Sequence, residues 1–352
     1  MTEGRNPSFA YSTHQVRVVF GAGSLTQLAA ELDREGLRHV LLLTTPGRAR
    51  ELDAVVAQLN PHLAGTYAGA RPHVPAEAIQ AARDVLERVE PDACLTLGGG
   101  SAIGLGKALA QKTGLPLVAI PTTYSGSEMT SIWGVTDGEV KRTGRDPAVA
   151  PRLVLYDPEL TLSLPAESTA ASGMNAIAHA VEAAYAPDAD PVSSLLAWDA
   201  IRRLADSLTI LVNSPYDRAA RAEALTGAHL AGRALDMTSM GLQHKLAHVL
   251  AGSFGLPHAQ AHAALLPCVV AFNATAAPEA MDRIAAALGT DDAVSGIAEL
   301  AKVLKIKSLR ELGFNAAMIP RAAALATQAA YANPRLVTEP VVRTLLESAL
   351  AA

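Results

Sequence analysis

Aromatic side chains are scarce in this chain, 4% of 352 residues, while apolar residues make up 50% and are dominated by Ala and Leu. That balance predicts a helix-rich globular protein. Charge of one sign is also lacking. A net charge of −5 is too mild to indicate a nucleic-acid or anionic-membrane partner. Cysteine is nearly absent. Cys94 ("DACLTL") and Cys268 ("LLPCVV") both sit in apolar runs, as expected of buried, reduced thiols rather than a disulfide framework. No apolar run is long enough to span a bilayer, and "MTEGRNPSFAYSTHQ" has no signal-peptide core. The expectation is a soluble cytoplasmic protein.

At this length two domains are the default. In the first 160 residues, "VRVVF" (16–20), "HVLLLTT" (39–45), "ACLTL" (93–97) and "PLVAI" (116–120) read as strands. They alternate with segments whose apolar positions repeat at helical spacing, such as "PAEAIQAARDVLERVE". Such alternation predicts a mostly parallel sheet covered by helices. "IWGVTDGEVKRTG" interrupts it as a hairpin turning at Asp137-Gly138. After "PRLVLYDPEL" the strand signal fades, leaving Ala/Leu-rich amphipathic segments. The expected division is 1–160, an α/β domain, and 161–352, an all-helical domain. Ligand sites commonly form in the cleft between such halves.

"LTLGGGSAIGLGKALA" (95–110) places three glycines, Gly98, Gly99 and Gly100, between a strand and a helix that Ser101 could cap. Glycines let backbone approach an anion, and a helix N-terminus offers free N–H groups, which suits a pyrophosphate. The loop lacks the Lys-Ser/Thr of a P-loop and matches the G-x-G-x-x-G spacing poorly. A tight turn without a ligand would use the same residues. The hydroxyls of "AIPTTYSGSEMT", including Thr122, Thr123, Ser125 and Ser127, are placed to meet a ribose, a phosphate or a nicotinamide amide. At the end of the second strand "LLLTTPGRAR" offers Thr44, Thr45, Arg48 and Arg50 but no acid, so NADPH should be accepted beside NADH.

Five of the ten histidines fall between His229 and His262. "GLQHKLAHVLAGSFGLPHAQAHA" spaces His244, His248, His258 and His262 by four, ten and four. His244 and His248 share a helix face, and a Gly-Leu-Pro turn can bring His258 back to them. In "GMNAIAHAVEA", Asn175 and His179 are likewise four apart. Together these side chains indicate a site. His262 is the member that packing alone accounts for most simply.

"GGGSAIGLGK", "PTTYSGSE", "YDPELTLSLPAESTAASGMNAIAHAVEA" and the histidine stretch, in that order, resemble the iron-containing alcohol dehydrogenase family over nearly the whole chain. The resemblance implies a dinucleotide-binding α/β domain followed by a dehydroquinate synthase-like helical domain, a cofactor of NADH or NADPH, and a homodimer. In the family an aspartate and three histidines hold the metal. The matching positions here are Asn175, His179, His244 and His258, so the only carboxylate is missing, and His248 matches a further active-site histidine. The hydroxyl loop is one residue shorter than usual and carries Tyr124, and Lys245 replaces a small residue.

These departures resemble the branch of the family that reduces the carbon–carbon double bond of maleylacetate to 3-oxoadipate in bacterial breakdown of aromatic compounds. An alkoxide calls for a Lewis acid, whereas an enolate oxygen can be stabilised by imidazoles or a lysine. The implied assignment is a metal-free reductase of a dicarboxylate with a vestigial metal site. His179, His244, Lys245, His248 and His258 would be catalytic. Asn175, Tyr124, Lys245 and Arg142 would bind substrate, and Lys141 would flank the cofactor. The alternatives are a metal-dependent alcohol or polyol dehydrogenase that tolerates Asn175, and a cofactor-binding protein without catalysis.

Overall fold

The computed structural model describes residues 9–47, 49–137 and 140–351. Arg48, the hairpin turn at 138–139 and the side chains of Arg50 and Lys141 lie outside the described residues. The four runs expected to be strands form β1 (Arg17–Phe20), β2 (Val40–Thr44), β4 (Ala93–Gly98) and β5 (Leu117–Pro121), and β3 (Leu63–Tyr67) and β8 (Leu153–Tyr156) join them. The six are parallel in the order β1-β8-β5-β4-β2-β3. Strands β2, β4, β5 and β8 are buried throughout, as required of a sheet covered on both faces. β3, "LAGTY", escaped the sequence pattern. It is a half-buried edge strand with small residues, so it carries little apolar signal. The hairpin is β6 (Ile132–Asp137) and β7 (Val140–Arg145), antiparallel and apart from the main sheet.

The helices α1 (Leu28–Glu35), α2 (Ala49–Leu59), α3 (Ala76–Val89) and α4 (Gly100–Thr113) alternate with these strands. From β2 the chain runs outward to β3 and then returns to the other side of β2 as β4. The carboxyl ends of β2 and β4 therefore flank the point where the winding reverses, where open parallel sheets form their ligand crevice.

Beyond β8 every regular element among the described residues is helical. α5 (Ala166–Ala184) is buried continuously from Thr169 to Ala184, because α6 (Pro191–Asn213), α7 (Arg218–Met237) and α9 (His258–Asn273) pack around it. α8 (Leu242–Phe254) precedes α9. One apolar core joins the halves: Ala119, Tyr124, Met129, Val154 and Tyr156 pack with Met174, Ile177, Leu204 and Leu225. The site is thus bordered by a single packed body. No helix among the described residues is long and apolar enough to cross a membrane.

Candidate active site

The first wall of the crevice is backbone. α4 begins at Gly100, two residues earlier than expected, so its N-cap is Gly99 and Ser101 lies inside the helix. No side chain caps this helix start, which leaves its N–H groups available to an anion. A Cβ on Gly99 would stand 2.6 Å from Thr123 Oγ1, whereas one on Gly100 would meet nothing within 4 Å. Gly98 accepts a hydrogen bond from Thr122 N at 3.1 Å, which fastens the hydroxyl loop to the glycine loop. The hydroxyls of Thr122 and Ser125 are buried without a partner. An uncapped helix start, open space at Gly100 and two unpartnered hydroxyls fit a dinucleotide. Thr44 contributes less than expected, because its hydroxyl is buried and donates to Leu97 O at 2.9 Å within the sheet.

Lys107 on α4 holds the hydroxyl loop from beneath. Its ammonium donates to Ser127 O (2.7 Å), Thr130 O (2.7 Å), Thr130 Oγ1 (2.9 Å) and Ile132 O (2.7 Å). Burial lowers its pKa to about 7, against the opposing pull of Asp236 and Glu128. Burial likewise raises Glu128 to about 7, although Tyr156 donates to its carboxylate at 2.9 Å.

The second wall is built from side chains of α5, α8 and α9. His244 and His248 lie one turn apart on α8. A left-handed Gly255 (φ 73°) then ends that helix, and Pro257 starts α9 with His258 in its first position. Ring centroids of His179 and His244 are 5.0 Å apart and stacked, as are those of His248 and His258 at 5.5 Å. His262 stands between the two pairs, 4.9 Å from His244, 4.7 Å from His258 and 5.5 Å from His179. His262, which packing alone could explain, thus sits at the centre of the cluster. Burial, reinforced by neighbouring imidazoles, holds His179 and His262 well below the usual histidine range and so keeps them neutral.

Two supports went unnoticed in the sequence. The Glu182 carboxylate meets His244 Nδ1 and also accepts from Gln243 N at 2.8 Å, so it caps the start of α8 from α5. This carboxylate directs His244 Nε2, which has no partner, toward the other rings. Gln243 in turn donates to His262 O at 3.0 Å. Asn175, His179 and Glu182 follow i, i+4, i+7 spacing, so one helical face carries all three.

Other expected residues are distributed differently. Tyr124 is fully buried, with its hydroxyl near Thr161 Oγ1 and accepting from the equally buried Arg221 at 3.1 Å. It braces the hydroxyl loop in the core and presents no group to a substrate. Asn175 is buried, its Nδ2 reaches Ser125 O at 3.4 Å, and its Oδ1 has no partner. Lys245 is half-buried beside His244, and Arg142 is exposed on the hairpin, whose β7 packs against α8.

The family's metal set is not assembled here. Among the described residues, the ligand atoms that converge belong to His179, His244 and His262, or to His248, His258 and His262. Neither trio is His179, His244 and His258, and an amide replaces the carboxylate at Asn175. These residues do not fit the family's ion.

Residues 15–158 match the family described as iron-containing alcohol dehydrogenase, and residues 169–350 match the Fe-containing alcohol dehydrogenase family, C-terminal. The maleylacetate reductase of Burkholderia cepacia is 46% identical over 97% of this chain and 97% of its own length. Among solved structures, a putative alcohol dehydrogenase from Ralstonia eutropha gives a TM-score of 0.96 at 46% identity, covering 98% of this chain and 99% of that one. The maleylacetate reductase of Agrobacterium tumefaciens gives 0.92 at 40% identity, covering 98% and 99%.

Proposed function

The chain belongs to the iron-containing alcohol dehydrogenase family, and from that premise we propose that this oxidoreductase reduces the alkene of maleylacetate to 3-oxoadipate without a metal ion. The observation that carries the proposal is a five-histidine cluster with an amide, Asn175, in place of the family's metal-binding carboxylate. Two relatives of high similarity and near-complete coverage bear that reductase name.

NADH or NADPH, held by Gly98, Gly99, Gly100 and the hydroxyl loop, supplies the hydride. The alkene carbon remote from the ketone receives it, and negative charge moves to the ketone oxygen. Neutral His179 and His262 can each donate an N–H to that oxygen, and Glu182 orients His244 beside them. His248 and His258 border the same space. A proton delivered to the carbon beside the ketone completes the reduction. Lys245 pairs with a substrate carboxylate, with Arg142 and Lys141 on the hairpin as further cations. The carboxyl end of β2 bears Thr44 and Thr45 and no acid, which supports use of NADPH as well as NADH. A reducing cytoplasm, consistent with two free cysteines, and a homodimer complete the proposal.

The test is loss of NADH absorbance with maleylacetate in the presence of a chelator, on protein assayed for metal. Turnover without stoichiometric metal is expected. Full zinc or iron occupancy, with activity abolished by the chelator, would establish a metal-dependent dehydrogenase instead. Lys245→Ala should lose about 1.5–3 kcal/mol of charge-assisted binding, about a ten- to 150-fold fall in kcat/KM carried mostly by KM. A change within about twofold would make Lys245 a solvated helix residue.

A further inference from the structure

The hydroxyl loop belongs to the α/β half, yet it rests on α7, a helix of the other half that carries none of the candidate site residues. Ala228, Gly232 and Asp236 follow Arg221 on α7 by seven, eleven and fifteen residues, so all four share one helical face. That face meets the loop along its length. Arg221 donates to the Tyr124 hydroxyl at 3.1 Å. Gly126, at φ 72°, lies so close to the helix that a Cβ there would stand 3.1 Å from Ala228 O, and a Cβ on Gly232 would collide with Gly126 O. The Asp236 carboxylate accepts from Ser131 N at 2.7 Å and from Ser131 Oγ at 2.8 Å. The loop is therefore laid along α7 from Tyr124 to Ser131.

Arg221 is the member that stability explains least. It is fully buried near the start of α7, and its other donations go to neutral oxygens: Thr169 Oγ1 (2.9 Å), Pro215 O (2.9 Å) and Leu164 O (3.3 Å). Burying a guanidinium on neutral partners at the positive end of a helix is costly. Tyr124, which it holds, separates Thr123, packed against Gly99, from Ser125, whose hydroxyl is buried without a partner. We propose that this face of α7 sets the position of the hydroxyl loop, and with it the placement of the cofactor's nicotinamide end relative to the histidines. Arg221 is then a positioning residue that acts through Tyr124. The effect on turnover rests on the function proposed above, whereas the effect on cofactor placement does not.

The experiment compares full-length Arg221→Met, Gly232→Ala and Tyr124→Phe with the parent. Arg221→Met keeps a buried apolar stem without its donors, and Gly232→Ala drives a methyl against Gly126 O. Each should lower kcat with maleylacetate about 10- to 100-fold, the scale of a misplacement near 1 Å. Tyr124→Phe, which keeps the ring, should lose about three- to tenfold. The Tyr124→Phe/Arg221→Met pair should be no slower than Arg221→Met alone, because the two residues act as one unit. Counting kcat per NADH-binding site removes any contribution from unfolded protein. Fluorescence titration should give an NADH Kd within about threefold of the parent's, since the start of α4 is untouched, but a shifted emission of the bound nicotinamide. Glu223 is exposed on the outer side of α7, and Glu223→Gln should match the parent throughout. Parent-like kcat per site, or parent-like emission, in Arg221→Met and Gly232→Ala would overturn the proposal. If neither of those folds, the same result in Tyr124→Phe would overturn it. A parent that binds NADH but leaves maleylacetate untouched would remove the proposed function, and the emission alone would then decide the role of α7.

Discussion

The two walls of the crevice are made by opposite means. On the cofactor side the shape comes from backbone: three successive glycines, an uncapped helix start, and a loop gripped through its carbonyl oxygens by Lys107. On the substrate side it comes from side chains carried by three helices, with Glu182 and Gln243 aiming the imidazoles. Each wall also buries ordinarily charged groups, Lys107 and Glu128 in the first and Glu182 in the second. Lys107 has four oxygens, and Glu182 has an amide at a helix start and an imidazole. A surface shaped by backbone suits a ligand common to many enzymes, whereas one shaped by side chains can be changed residue by residue to suit a particular substrate.

The largest effect should come from breaking the first wall. Lys107→Met keeps the volume but leaves Thr130 O and Ile132 O without that donor, while Ser127 O keeps Thr130 N and Oγ1. Each buried unsatisfied group costs about 1–3 kcal/mol, partly offset because an ammonium no longer has to be desolvated. A net loss of about 3 kcal/mol is expected, seen as a lower urea midpoint at unchanged slope, with weaker NADH binding. A loss below about 1 kcal/mol would mean that the loop holds its shape without the lysine.

The equivalent change on the second wall should affect chemistry more than stability. In Glu182→Gln the amide oxygen can accept from Gln243 N or from His244 Nδ1, but no longer offers two equivalent oxygens to both. His244 then loses its fixed orientation, and kcat should fall about 10- to 100-fold, the usual scale for removing such a support. NADH affinity should stay constant, which a general loss of structure would not allow. An unchanged kcat would reduce Glu182 to a cap for α8.

The same contrast explains what was legible in the sequence. Gly98 to Gly100 and the hydroxyls from Thr122 to Ser127 are consecutive, so a local pattern of strand, glycine and helix exposes them. His244, His248 and His258 were legible because helical spacing and one turn connect them. Glu182 lies seven residues after Asn175, yet nothing local says that its carboxylate reaches α8, sixty residues further on. His262 looked like packing because its place among the other rings depends on α5 meeting α9. Tyr124 failed for the converse reason: a hydroxyl in a motif loop invites a ligand, and only the tertiary structure shows Arg221 holding it in the core. β3 was hidden by its small side chains and edge position. Local chemistry can be read along the chain, whereas burial and partners that come from distant segments cannot.

The smallest structural change gives the sharpest test of the first wall. Gly100 is the first residue of α4, and a methyl there would meet nothing within 4 Å, whereas one on Gly99 would collide with Thr123. Gly100→Ala should therefore fold normally and gain a few tenths of a kcal/mol, about 0.4–1 at most, because Ala restricts the unfolded chain. Gly99→Ala should lose stability, since Thr123 must move and take the hydroxyl loop with it. If a pyrophosphate lies over the start of α4, the Gly100→Ala methyl occupies its space, and NADH should bind at least about tenfold more weakly, some 1.4 kcal/mol. Fluorescence titration with NADH, alongside thermal melting, measures both quantities on one preparation. Unchanged NADH affinity in a Gly100→Ala protein of normal stability would move the pyrophosphate away from this helix, and the glycines would then serve only the turn.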